Sequence, residues 1–98
     1  MTTRRPVSGR RAREIIDGAR LAKAPDWRDT RHWHVVAADG AVLVVVVPSY
    51  GGASRSGRNG WRWWIAGLGP SGSREREPNR EAAAARGLAD WQRWITSR

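Results

Sequence analysis

Seven tryptophans and 17 arginines carry most of the chemistry available to this 98-residue chain. An indole offers a flat apolar face for stacking, and a guanidinium offers paired donors to phosphate or carboxylate. The two types meet in Trp61-Arg62-Trp63-Trp64-Ile65. Read as a strand, this run turns Trp61, Trp63 and Ile65 to one side and Arg62 with Trp64 to the other. An exposed indole beside an arginine is a platform for a nucleobase, and base stacking of that kind contributes roughly 1–3 kcal/mol. The same pair suits a protein interface, where Trp and Arg are enriched. It also suits a second core face covered by a helix or another protomer.

A second group of arginines, Arg4, Arg5, Arg10, Arg11 and Arg13, falls within the first 13 residues, where there is no acid. Basic arms of this kind track phosphates, although block charge alone also describes a solubilising tail. The segment Gly51-Gly52-Ala53-Ser54-Arg55-Ser56-Gly57-Arg58-Asn59-Gly60 adds Arg55 and Arg58 on a glycine-rich loop that could wrap a phosphate backbone. It lacks the Gly-Lys-Ser/Thr and following helix of a nucleotide-binding loop.

Catalytic constellations are sparse. His32 and His34 alternate onto one side of a strand, and two imidazoles so spaced can chelate a metal, but no third ligand stands near them. The absence of cysteine excludes a disulfide scaffold and a thiolate zinc site. The serines fall in loops, in the arm or at the end of the chain, and Glu75 and Glu77 alternate with arginines as in a solvated loop. No cofactor and no metal are expected.

The net charge of +9 attracts polyanions. Part of the arginine excess has another source: 17 Arg, 14 Ala and 11 Gly against one Lys and no Phe is the signature of G/C-rich codons, bacterial or phage. The longest apolar run, Ala41 to Val47, is far too short for a membrane span, and no signal peptide opens the chain. A soluble, cytoplasmic protein is expected, with a flexible basic arm over 1–10 and one domain over 11–98.

These residues need elements to position them. Ala12, Ile15, Ile16, Ala19 and Ala22 recur at helical spacing and predict a helix from about Arg11 to Lys23, stopped by Pro25. His32 to Ala37 reads as a strand, Asp39-Gly40 as a hairpin turn, and Val42 to Val47 as a central strand covered on both faces and ended by Pro48. Trp61 to Ala66 is the third strand. Asn79 is a good N-cap for a last helix to about Thr96, whose stripe is Ala84, Leu88, Trp91 and Ile95, with Gly87 permitting close approach to a neighbour. Trp63 and Trp91 are expected to meet across the helix–sheet interface. The order predicts an α+β domain, a two-layer α-β-β-β-α arrangement with a three-stranded antiparallel meander.

The stretch Thr30-Arg31-His32-Trp33, followed by Asp39-Gly40 and a valine-rich strand ending at Pro48, resembles the HicA toxin family over about residues 12–48. That resemblance implies a double-stranded-RNA-binding-like fold and would make His32 the catalytic histidine of an mRNA-cleaving toxin.

Three functions follow as expectations. The first is a non-enzymatic nucleic-acid-binding module using Arg4, Arg5, Arg10, Arg11, Arg13, Arg55, Arg58, Arg62 and Trp64. The second is a protein-binding module or homodimer using the Val/Trp sheet face. The third is a HicA-like ribonuclease acting through His32. Whether one sheet face is bare separates much of this choice.

Overall fold

A computed structural model describes residues 6–49, 60–70 and 76–97. The elements are α1 (Gly9–Asp17), β1 (Arg20–Lys23), α2 (Trp27–Thr30), β2 (Trp33–Val36), β3 (Val42–Ser49), β4 (Gly60–Ile65) and α3 (Arg80–Thr96). The strands form one antiparallel sheet in the order β1-β2-β3-β4. The α+β class holds, and the meander has four strands rather than the expected three.

The additional strand replaces the end of the predicted first helix. Gly18 ends α1, its N–H returning to the Glu14 carbonyl, and Arg20 to Lys23 then pair with Val36 to Trp33. Ala19 and Ala22 fit the helical spacing, but pairing with β2 satisfies this backbone and buries Leu21 on the sheet. The folded chain also begins before the expected boundary at residue 11. The Ser8 side chain caps α1 by accepting from the Arg11 N–H, and the Val7 N–H donates to the Ile95 carbonyl at 2.9 Å. Arg10 is therefore helical.

Strand β3 runs through Pro48 rather than stopping there. Its pairing with β2 reaches only as far as Val46, so at Pro48 the only paired strand among the described residues is β4, and a missing N–H on the outer side breaks no ladder. Between β2 and β3, Gly40 turns the chain with φ 92°. The register then slips. Val35 faces Val44 but Val36 faces Val42, so Leu43 is an extra residue whose side chain joins Val44 in the core.

The core lies between the sheet and α3. Cross-strand partners share a face, so Trp33, Val46 and Trp63 form one row and Leu21, Val35, Val44 and Ile65 the next. Val35, Val44 and Val46 are fully buried, each contributing about 1.5–3 kcal/mol. Trp63 and Trp91 are both buried here, as expected, and the Trp63 indole N–H donates to Asp90 Oδ2 at 2.9 Å. Helix α3 starts at the Asn79 cap, whose side chain accepts from the Ala82 N–H at 2.7 Å. At Gly87 a Cβ would meet Val44 Cγ1 at 2.4 Å, so α3 sits closer to the sheet than any side chain would allow. Helix α1 packs against α3, with Ala12 in the same core cluster.

Both longer helices therefore lie on one side of the sheet. The expectation that β3 is covered on both faces holds only in part: Val45 on the other side is buried, but among the described residues no helix packs there. Val42 on that side is 38% exposed.

Candidate nucleic-acid interface

Strand alternation and register decide what the open face carries. Ala22, His34, Val45 and Trp64 form one row across the four strands; Arg20, Val36 and Val42 form a second, and Val47 with Arg62 a third. No strand residue of this face is acidic. Trp64 is half-buried and Arg62 exposed. Val45, paired with His34 on one side and Trp64 on the other, is 9% exposed.

His32 leaves α2 just before β2. Its N–H donates to Thr30 Oγ1 at 3.1 Å and its carbonyl accepts from the Ala24 N–H at 3.1 Å, which fixes its backbone. Its ring stands edge-to-face against Trp64, with centroids 5.8 Å apart and planes at 87°. An edge-to-face partner steadies the indole and leaves its orientation defined. Burial pushes the His34 imidazole below the usual histidine range, with the Asp26 carboxylate opposing and His32 adding to the shift. The folded environment of His34 thus favours its neutral form.

The structure brings Arg62, Trp64 and His32 together, but not the α1 arginines. Arg10, Arg11 and Arg13 are exposed in the helical layer, across the sheet from Trp64, and Arg11 pairs with Glu14 at 3.2 Å. Arg4, Arg5, Arg55 and Arg58 lie outside the described residues. No group of three His, Cys, Asp or Glu that could hold a metal occurs among the described residues.

Sequence reasoning missed a second aromatic cluster. At the end of the sheet where α3 begins, Trp27, Trp33 and Trp61 line a groove of about 280 Å³ together with Arg31, Pro48, Gly60 and Arg80. Trp27 and Trp33 meet edge-to-face with centroids 6.4 Å apart. Lys23 Nζ and the Arg31 guanidinium stand 4.0 and 4.2 Å from the Trp27 ring centre, and Arg80 stands 4.2 Å from that of Trp33. The available signal was Trp27 and Arg31 four residues apart, one helical turn, so that both reach the same side. A larger hollow of about 390 Å³ lies between α1, α3 and the β2–β3 turn, walled by Val7, Ile15, Leu43, Trp91 and Ile95. Its charged rim includes the Arg11–Glu14 pair.

No protein-family model, curated protein or solved structure matches this chain. No helix among the described residues is long and apolar enough to cross a membrane.

Proposed function

We propose that the protein is a nucleic-acid-binding module with no catalytic step, and that its open sheet face makes the specific contact. The observation that carries this reading is the Trp64 indole, braced by His32 and accompanied by Arg62 and Arg20 on a face without strand acids. A base stacks on Trp64 while the guanidinium groups neutralise adjacent phosphates. The remaining positive charge speeds encounter without adding specificity.

The test is fluorescence anisotropy of labelled single-stranded and duplex oligonucleotides, with circular dichroism to check the folding of each variant. Trp64→Ala should weaken single-strand binding roughly 5- to 150-fold, the equivalent of about 1–3 kcal/mol. Wild-type affinity in both Trp64→Ala and Arg62→Gln would overturn the reading. RNA cleavage in the same samples, lost in His32→Ala, would instead move the protein to the nuclease class that the HicA resemblance implies.

Val42 favours a second reading. Its exposure, beside half-buried Val36 and Val47, gives the same face an apolar stripe suited to a protein partner or a second copy. Sedimentation velocity separates the two: a dimer dissociated by Val42→Asp supports the protein interface, and a monomer at all concentrations removes the homodimer.

A further inference from the structure

We infer that the groove at the start of α3 seats one nucleotide of a single strand, its base against the indoles and its phosphate on Arg31 and Arg80. This rests on the nucleic-acid reading above and adds a second contact, on the other side of the sheet from Trp64.

Trp27, Trp33 and Trp61 come from three separate elements, α2, β2 and β4, so their meeting is a product of the fold. The volume, about 280 Å³, lies just below the usual small-ligand range of roughly 300–1,000 Å³. It suits a single ring with its phosphate. Charge decides the ligand's sign. An aromatic cage for a quaternary ammonium leaves its ring faces free for the cation, whereas here Lys23, Arg31 and Arg80 already stand over them. A cationic ligand would meet like charge; a flat, anionic one would not. Guanidinium planes stack on bases as they do on indoles, so a base can take the place of Arg80 over Trp33 while Arg80 turns to the phosphate. Arg80 also pairs with Glu81 at 3.2 Å, whereas Lys23 and Arg31 have no carboxylate partner among the described residues.

Two local features support this use. Arg31 is the only non-glycine with positive φ among the described residues, at φ 60°, ψ 20° after the single turn of α2. Glycine would terminate that turn with less strain, and an arginine held there has a side-chain reason to be there. Trp27, whose ring lines the groove, also carries a buried indole N–H with no acceptor among the described residues.

The experiment follows the indole N–H signals of the full chain by ¹⁵N NMR during titration with octauridylate, uridine monophosphate and inorganic phosphate. Octauridylate should shift Trp27, Trp33 and Trp61 as well as Trp64. Arg31→Gly suits the left-handed backbone and keeps the fold. It should weaken octauridylate binding at least about five-fold and abolish the Trp27 and Trp33 shifts while leaving that of Trp64. Shifts with uridine monophosphate as well would show that one nucleotide suffices; shifts with octauridylate alone also support the proposal. The proposal is overturned if Trp64 responds while Trp27 and Trp33 do not, or if Arg31→Gly binds like the wild type. It is also overturned if inorganic phosphate reproduces the full pattern, or if uridine monophosphate binds and octauridylate does not. Loss of every shift would overturn the nucleic-acid reading itself.

Discussion

His34 shows how a single side chain on the open face links stability to pH. Desolvation by its neighbours lowers its pKa in the folded protein, so the unfolded chain takes up the proton first as pH falls. Its neutral form therefore supports folding above the ordinary histidine value of about 6.5, and that support is lost on acidification through and below it. Urea midpoints measured from pH 7.5 to 5.0 should decline, and His34→Asn should flatten part of that decline. An identical slope in the variant would show that His34 is not responsible. His32, two residues earlier, sets its ring edge-to-face against Trp64.

At the scale of the element, α3 depends on one missing side chain. Gly87→Ala would drive a Cβ into Val44, which is fully buried and has nowhere to move, so the helix must lift from the sheet. Overpacking of this kind costs about 1–3 kcal/mol, against a gain below about 1 kcal/mol in helix propensity. The variant should unfold at lower urea concentration than the wild type; an unchanged or raised midpoint would show that the interface has slack. This helix was legible in the sequence, because the Asn79 cap, the apolar stripe and Gly87 all lie within or beside its own residues. The strand Arg20–Lys23 was not: four residues are too few to display alternation, and Ala19 and Ala22 continued the helical spacing of α1. The faces of Arg62 and Trp64 followed from alternation alone. Whether the Val42–Val47 strand had one covered face or two depended on where both helices packed, which no local pattern encodes. The Trp27–Trp33–Trp61 groove escaped for the same reason, since its rings come from elements joined only by tertiary pairing.

Across the whole molecule, the positive charge is divided among three surfaces. Arg62 and Arg20 lie on the open sheet face, Arg31 and Arg80 at the groove, and Arg10, Arg11 and Arg13 on α1. Each phosphate contact to a single strand adds about 0.7 to the slope of log affinity against log salt. Deleting residues 1–5 removes Arg4 and Arg5 and should reduce the slope by at most about 1.4, with the melting temperature unchanged. The cut falls before Val7, whose N–H holds the folded chain to Ile95. A fall that takes away most of the wild-type slope would place the main phosphate contact in the arm rather than on the sheet. The position of α3 in the chain has a consequence for biosynthesis. All four strands have been made by Ile65, but the helix that roofs them begins at Arg80 and is whole only at Thr96. Until that helix leaves the ribosome, valines and tryptophans on both sides of a nascent sheet face water, the period in which a chain is most open to misassociation and to capture by chaperones.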